Sequence, residues 1–232
     1  MKNNKSKCFR NITFLVIIIF FINCSGNRSQ QEKQTKVVAP ELEEVDGTYL
    51  FDGNTLEGWE VTQFGPQGPV SISDGKIILN YGDGCTGITW KKDFPKVNYE
   101  VHLEAMKTSG NDFFCGMTFP VNDDFCSLIV GGWGGPVVGL SCVDGADASD
   151  NSTKILKRFD KNIWYNIKLR VNDQKITAWI DDEKLVDFEY EGHELYVRPE
   201  VDLSKPFGIC SWVTTSHLRN IWVKNLDTEI QE

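Results

Sequence analysis

The sequence lacks the short motifs that mark the common catalytic and metal-binding classes. Its seven cysteines and three histidines form no Cys-x-x-Cys pair and no Cys/His spacing typical of zinc. There is no Gly-x-Ser-x-Gly motif, phosphate loop or dinucleotide fingerprint, and no helical pattern follows the glycine run at 131–135. These absences argue against a zinc domain, an α/β-hydrolase and a nucleotide-binding domain.

Basic residues are scarce after the first 24 positions. The chain of 232 residues has 24 basic and 33 acidic residues, a formal charge of −9. Met1–Cys24 holds four of the basic residues and no acid, so the remainder carries 20 against 33, or −13. Such an acidic body repels nucleic acid backbones and anionic lipid surfaces, whereas neutral ligands such as sugars remain compatible. We therefore expect no nucleic acid partner.

Long apolar runs are also scarce, and the clearest is Ile12–Ile22. It is too short to span a bilayer comfortably, follows a positively charged start and ends beside Cys24, which predicts an export signal. The stretch Phe21-Ile22-Asn23-Cys24 resembles a bacterial lipoprotein box, although Asn23 is larger than the usual residue. We therefore predict that residues 1–24 are a lipoprotein-type signal peptide and that Cys24 is lipidated. A plain signal peptide and an uncleaved anchor are the alternatives.

Residues 25–44 are polar and charged and contain no aromatic side chain. They cannot bury enough apolar surface to order themselves, which predicts a flexible tether. The expected product is an exported bacterial protein, periplasmic or on the cell surface, that meets the membrane only through its lipid anchor. The folded domain is assigned to residues 45–232.

No long segment has a helical period, whereas alternation with period two recurs. Odd positions are apolar in Tyr99–Ala105 and in Tyr165–Val171, as in half-buried strands. Phe113–Phe119 and Phe125–Val130 are apolar more continuously, which predicts strands covered on both sides. Short strands separated by turns predict an all-β fold, a two-sheet antiparallel sandwich or jelly roll.

The ends of this body and its cysteines give two further expectations. The strands near Phe51 and Trp222 should pair, because such folds close by joining their ends. Five cysteines of the body have apolar neighbours, which predicts buried free thiols. The alternative is a disulfide between Cys126 and Cys142, if a hairpin turn at 131–136 places them opposite each other.

Several segments, in order, resemble one protein family. The opening is Phe-Asp-Gly-Asn-Thr-Leu-x-Gly-Trp at 51–59, followed by a "dFel-x-lE"-like strand at 98–104. A "W-n-x-y-x-i…w-l-n-G"-like hairpin follows at 164–181, and an "f-R-N-I-x-i"-like strand closes the body at 218–223. Together they are similar to the 3-keto-disaccharide hydrolase domain family. The resemblance implies a concanavalin A-like jelly roll that acts on glycosides with a ketone at carbon 3.

The implied chemistry is elimination followed by hydration. The ketone acidifies the hydrogen on carbon 2, a base removes it, the glycosidic oxygen leaves carbon 1, and water adds back. Such a site needs a base, donors or a cation for the enolate, and an aromatic platform. The chain departs from the family after the turn Gly110–Asp112, because the strand at 125–130 contains no acid where the family has one.

Candidate catalytic residues are Asp112, Asp144 and Arg219. Asp112 lies at the turn that corresponds to the functional edge of the family, where it is a base, a ligand or the cap of an Asx turn. Asp144 begins the acidic loop 144–151, whose oxygens suit a divalent cation such as calcium, or which is simply a solvated loop. Arg219 alternates with Ile221, which predicts an inward side chain that needs a structural carboxylate or the substrate as its partner.

Candidate substrate-binding residues are Trp133, Trp179 and His217. Trp133 lies among four glycines and either offers its indole to a sugar or folds back on the core. Trp179 faces the polar side beside Lys168 and Arg170, as a sugar platform or beneath a crossing loop. His217 is either a base or a surface-loop histidine. No cofactor is assigned beyond the candidate divalent cation of the acidic loop, such as calcium, and no metal ligand set is assigned.

Three functions fit these observations. The leading hypothesis is an exported enzyme that cleaves 3-keto-glycosides with net hydrolysis. The second is a carbohydrate-binding module of the same fold without turnover, since fold does not fix function. The third is an anchored interaction protein without a sugar ligand.

Overall fold

A computed structural model describes residues 42–227. The predicted signal peptide, Cys24 and nearly all of the predicted tether lie outside the described residues and stay predictions. In the part of the chain that is described, no helix is long and apolar enough to cross a membrane.

Between residues 42 and 227 the chain forms fifteen strands and one short 3₁₀ helix. They are β1 Thr48–Tyr49, β2 Trp59–Val61, β3 Val70–Ser73, β4 Lys76–Leu79, β5 Cys85–Trp90, β6 Tyr99–Gly110, β7 Cys115–Val121, β8 Asp124–Gly132, β9 Val137–Ser141, β10 Ile155–Leu156, β11 Trp164–Val171, β12 Lys175–Ile180, β13 Glu183–Glu189, the 3₁₀ helix Pro199–Ser204, β14 Phe207–Trp212 and β15 Thr214–Asn225.

The strands form two antiparallel sheets that pack face to face. The back sheet has the order β13-β12-β11-β6-β15-β4-β3, with β1 added to β15. The front sheet has the order β10-β9-β8-β7-β14-β5-β2. This is the sandwich of a jelly roll, so the predicted fold class is confirmed.

The alternation seen in the sequence becomes the inner faces of the two sheets. In β6 the side chains of Val101, Leu103 and Ala105 are buried, and their neighbours in the strand are more exposed. The strands β7 and β8 are buried almost throughout, as predicted. One face of each covers the core, and the other lies partly beneath the long connection between β13 and β14.

The predicted closure of the ends is confirmed. Tyr49 of β1 is the cross-strand partner of Trp222 in β15. The amide of Leu50 then donates to the carbonyl of Ile221 at 2.8 Å. The first and last strands of the body therefore lie side by side in the back sheet.

The prediction that Arg219 points inward was wrong because β15 contains a bulge. The register shifts between Arg219 and Trp222, and Asn220 has φ 51°. A bulge inserts an extra residue and breaks the alternation of the two faces. Leu218 and Ile221 are both fully buried, whereas Arg219 lies on the outer face of the back sheet.

The five cysteines of the described residues are buried free thiols, as the sequence predicted. Ser127 pairs with Ser141, so the preceding Cys126 and the following Cys142 are adjacent, yet they form no disulfide. Burial raises the pKa of Cys115 and of Cys126 to about 12. Both thiols are therefore protonated at neutral pH and poor nucleophiles.

A nearly buried carboxylate joins two strands of the back sheet. Glu100 is bound by His102 at 3.0 Å and by Arg170. Burial raises the pKa of the Glu100 carboxyl, but the hydrogen bonds from His102 and Arg170 outweigh it and lower the pKa from 4.5 to about 2. The carboxylate is therefore more stable in the folded chain than in the unfolded one.

The lowered pKa of Glu100 predicts that the folded chain loses stability in acid. The contribution of Glu100 is fully present above pH 4.5 and is lost as pH falls towards 2, because the depressed pKa belongs to the folded state. It amounts to at most about 3 kcal/mol, since water screens the half-exposed Arg170. Urea unfolding of Glu100→Gln and wild type from pH 7 to 3 checks this. Glu60→Gln, which removes an exposed acid, is the control, and equal pH dependence in all three chains would contradict it.

Candidate functional site

A cavity of about 260 Å³ opens on the outer face of the front sheet. Small outward residues leave this space, because Thr118, Ser127 and Ser141 are neighbours across β7, β8 and β9. The next row contains glycines at 116 and 139 on either side of Ile129. The floor of the cavity is therefore formed by the short side chains of Ser127 and Ser141 together with Ile129.

Gly116 has to be a glycine because the ring of Phe113 packs against it. A Cβ at Gly116 would lie 2.8 Å from the ring of Phe113, too close for any side chain. Phe113 lines the cavity, and its carbonyl accepts the amide of Trp212, a second aromatic lining residue, at 3.0 Å. Their rings lie 6.5 Å apart. The two rings thus form one apolar side of the cavity.

Another part of the cavity lining comes from the connection between β13 and β14, residues 190–206. Arg198, Glu200 and Val201 of this connection line the cavity. Val201 packs with Val197 against cysteines of β5 and β14. The backbone of the connection is tied to the end of β9, where the Cys142 amide donates to the Tyr196 carbonyl at 2.7 Å.

Asp112 lines the cavity, but its carboxylate is engaged by backbone amides. Oδ1 accepts from Phe113 at 2.8 Å and from Trp133 at 3.2 Å, and Oδ2 accepts from Gly134 at 3.2 Å. The carboxylate thus ties the β6–β7 turn to the β8–β9 turn. This is broader than the Asx cap that the sequence offered as the alternative, because it joins two turns that are distant in the sequence.

Trp133 lines the cavity from the glycine-rich turn. The residue is 38% exposed, and its backbone has φ 50°, a conformation that few residues other than glycine adopt. The amide hydrogen bonds from Trp133 and Gly134 to Asp112 hold this conformation. An exposed indole at a cavity rim offers a flat apolar face to a ligand.

Arg198 is the cation of the cavity and lies between two acids. Its Nε and Nη2 donate to the two carboxylate oxygens of Glu200 at 3.2 and 3.0 Å. Its Nη1 donates to Asp147 at 3.0 Å. The Arg198 guanidinium lowers the pKa of the Glu200 carboxyl, and Glu200 in turn raises the pKa of Arg198. Both groups are therefore charged at neutral pH.

The acidic loop 144–151 reaches the cavity-lining Arg198 through Asp147, and Asp144 takes no part in this contact. Asp144 lies outside the cavity lining, and its carboxylate binds His193 Nδ1 at 2.6 Å and the Glu194 amide at 2.9 Å. The bond from His193 lowers the pKa of the exposed Asp144 carboxyl. Among the described residues no group of three or more histidine, cysteine or acidic residues can hold a metal ion.

The three remaining candidates lie on the back sheet, away from the cavity. Arg219 donates to Glu104 at 2.6 and 2.9 Å and lies 4.2 Å over the ring of Trp164. The predicted need of this arginine for a partner is thus met by a structural carboxylate. Its position separates it from Asp112 and Trp133, with which the sequence analysis grouped it.

Trp179 and His217 also lie on the back sheet. Trp179 lies on the polar side with Lys168 and Arg170, as predicted, and the Lys168 ammonium lies 4.2 Å from its ring centroid. That face of the indole is covered by a cation rather than open to a sugar. His217 lies in β15 rather than in a loop. Burial of its ring, and to a lesser extent the positive charge of Lys76, lower the pKa of His217.

The structure thus brings together two of the predicted residues, Asp112 and Trp133, with several that sequence reasoning missed. The missed residues are Phe113, Ser127, Ser141, Arg198, Glu200 and Trp212. The only local signal among them is the Arg-Pro-Glu sequence at 198–200, where a cation and an acid flank a proline. Nothing in that short sequence indicates that it lines the same cavity as Trp133.

Comparison with known proteins agrees with this fold. A family model described as a 3-keto-alpha-glucoside-1,2-lyase-like domain matches residues 46–224. No curated protein matches the chain. The family match confirms the resemblance seen in the sequence, and it covers most of the chain.

Solved structures share the fold at low identity. A Parabacteroides distasonis protein, provisionally named a glycosyl hydrolase, is 16% identical with a TM-score of 0.50, covering 78% of this chain and 94% of its own. The carbohydrate binding module CBM66 from Bacillus subtilis is 13% identical with a TM-score of 0.50, covering 72% and 95%. Crh5 transglycosylase in complex with NAG is 14% identical with a TM-score of 0.53, covering 81% and 85%.

The sandwich and its cavity define a jelly-roll domain of the type found in carbohydrate-binding and glycosyl hydrolase-like proteins. The match over residues 46–224 is more particular. The chain belongs to the 3-keto-alpha-glucoside-1,2-lyase-like domain family.

Proposed function

We propose that the front-sheet cavity binds a sugar and that the domain cleaves 3-keto-glycosides by elimination and hydration. The observation that carries this proposal is the arrangement around one cavity of two indoles, Trp133 and Trp212, with the ionised Glu200 and Arg198. Indoles stack on the apolar face of a sugar ring, while charged groups bind its oxygens. Membership of the family supports the 3-keto-glycoside as the substrate.

In the proposed reaction Glu200 is the base and Arg198 binds the ketone oxygen. Glu200 removes the proton from carbon 2, and the electron pair of the broken bond forms the enolate, whose charge Arg198 stabilises. The enolate then restores the ketone, forms a double bond between carbons 1 and 2 and expels the glycosidic oxygen. That oxygen takes the proton from Glu200. Water adds across the double bond, with its hydroxyl on carbon 1, to complete net hydrolysis.

The two carboxylates of the cavity have different roles in this proposal. Asp112 has a structural role at the cavity rim, because its carboxylate oxygens accept hydrogen bonds from three backbone amides. The side-chain partner of the Glu200 carboxylate is Arg198, its side chain is 42% exposed, and it retains lone pairs that can face a sugar. A base needs such an accessible oxygen, so Glu200 is the better candidate.

The test is to incubate the full chain with a 3-keto-disaccharide and with the same disaccharide unoxidised, each with added calcium or with a chelator. We expect monosaccharide from the keto form alone. Trp133→Ala should weaken sugar binding about tenfold, the loss of one aromatic contact. Trp179→Ala, a tryptophan on the other sheet, should bind normally. No release from any of several 3-keto-disaccharides would contradict the enzyme proposal.

The second candidate function is a carbohydrate-binding module without turnover. It is favoured by the fact that both cavity carboxylates already have partners, Asp112 in backbone amides and Glu200 in Arg198. Saturable quenching of tryptophan fluorescence by an unoxidised glycan, with no product from its 3-keto form, would support this function instead.

The proposed setting of either function is outside the cytoplasm, on a lipid attached to Cys24. The support is the apolar run 12–22 ending beside that cysteine, together with an acidic body unsuited to nucleic acid. Labelling cells with a radioactive fatty acid, in wild type and Cys24→Ala, tests the anchor. Equal labelling of both would contradict it.

A further inference from the structure

The acidic loop 144–151 has no role in the reaction proposed above, yet one of its acids holds the cavity arginine. Asp147 binds Arg198 Nη1 at 3.0 Å, from the side that Glu200 does not occupy. Its side chain is only 25% exposed and does not line the cavity itself. Asp147 therefore contacts a lining residue from behind.

The two acids together fix the guanidinium. A guanidinium has five N–H donors in one plane. Glu200 takes two of them, on Nε and Nη2, and Asp147 takes one on Nη1. Partners on two sides of a planar group determine both its plane and its rotation, which leaves two donors in a fixed direction.

The carboxylate of Asp147 is itself held by the loop. Its Oδ1 accepts from the amide of Ser149 at 2.9 Å and from the hydroxyl of Ser149 at 2.6 Å. Asn151 ties the loop to β9, because its side-chain amide donates to the Leu140 carbonyl at 2.8 Å. A chain of contacts thus runs from β9 through the loop to Arg198.

We propose that Asp147 is a positioning residue, which holds Arg198 so that its two remaining donors face the ketone oxygen of the substrate. The inference rests on the proposed function, since it concerns the same cavity. It gives the acidic loop a purpose other than metal binding. It also explains why the arginine binds two acids, one whose remaining lone pairs serve as the base and one that positions the guanidinium.

The test compares two acids of the same loop in the full chain. Asp147→Asn should lower kcat for a 3-keto-disaccharide roughly 100-fold, because a small misplacement of a reacting group costs about that much. KM should change little, since the indoles that bind the sugar are untouched. Asp144→Asn removes the other link of the loop to residues 193–194 but leaves Arg198 in place, and its kcat should match wild type. Asp147→Glu should restore part of the rate.

A second measurement does not depend on turnover. The ¹⁵N–¹H resonance of Arg198 Nε, assigned by its absence in Arg198→Met, should be sharp in wild type and Asp144→Asn. In Asp147→Asn it should shift and broaden, because the guanidinium is no longer held. A thermal unfolding transition measured for each variant checks that it is folded.

The outcomes separate this inference from the proposed function. An unchanged Arg198 resonance in Asp147→Asn overturns the positioning role, whether or not the protein has activity. A wild-type kcat in Asp147→Asn, with activity lost in Arg198→Met, also overturns it. An inactive wild type whose resonance responds as expected contradicts the cleavage reaction and leaves the positioning of Arg198 supported.

Discussion

Glu200→Gln is expected to lower kcat for a 3-keto-disaccharide roughly 10³-fold, within the range that a general base contributes. Glutamine keeps the shape of the side chain and still accepts a hydrogen bond from Arg198, but it cannot take the proton from carbon 2. The bonds that Arg198 makes to Glu200 now, at 3.0 and 3.2 Å, show that the two groups are in contact. Steady-state kinetics with the full chain measure kcat and KM separately.

KM should stay close to the wild-type value in Glu200→Gln, because Trp133 and Trp212 are unchanged. Glu60→Gln is the matched control, since it removes an exposed acid paired with Lys91 on another part of the surface. If Glu200→Gln retains full kcat while Asp112→Asn loses it, Asp112 is the base and the assignment of roles is reversed.

The pH profile gives a second check on Glu200. Arg198 lowers the pKa of this carboxyl below its ordinary value of 4.5, so the base stays ionised to a lower pH. The acidic limb of kcat/KM should therefore lie below 4.5, and Arg198→Met should move it upwards while also lowering the rate. An acidic limb that does not move would show that another group controls it.

Trp59→Ala is expected to destabilise the fold by about 3–5 kcal/mol, the usual cost of truncating a large buried aromatic residue. Trp59 closes the opening segment that carries the family resemblance, and it is only 7% exposed. Its ring lies 5.2 Å from that of Trp90 and 5.8 Å from that of Phe207. Its Nε1 donates to the Leu50 carbonyl at 2.6 Å, so the carbonyl also loses its partner. Urea unfolding measures the change.

Two variants make this result specific. Trp59→Phe keeps most of the ring but loses the hydrogen bond, and should cost about 1 kcal/mol. Trp133→Ala removes an indole from the exposed cavity rim and should leave stability almost unchanged while weakening sugar binding. Equal destabilisation by Trp59→Ala and Trp133→Ala would mean that the opening segment is not part of the core.

The opening segment also shows how much a local sequence can predict. Asp52 Oδ1 accepts the amides of Asn54 and Thr55 at 2.8 and 2.7 Å, which forms the turn that the Asp-Gly-Asn sequence indicates. Phe51 and Trp59, the apolar residues on either side, are both buried. Turn chemistry and burial act over a few residues, so a short motif contains the information for both.

The cavity shows where this kind of prediction ends. The turn of Asp112 and the glycine run of Trp133 are visible as motifs, and both line the cavity. Arg198 and Glu200 lie in a connection without periodicity, and they reach the cavity because that connection crosses the front sheet. Arg219 was misplaced because a bulge in β15, which no alternation pattern reveals, reversed its face.

The sequence by itself determined the strands, the buried side of the most regular ones and the family of this protein. The reason is that a pleated strand repeats every two residues and a turn every few, so nearby residues suffice. Only the tertiary structure decided that Asp147 and Glu200 bind Arg198 at the cavity that Trp133 and Trp212 also line. Their meeting depends on the order of strands in the front sheet and on the path of one long connection, which residues far apart in the chain settle together.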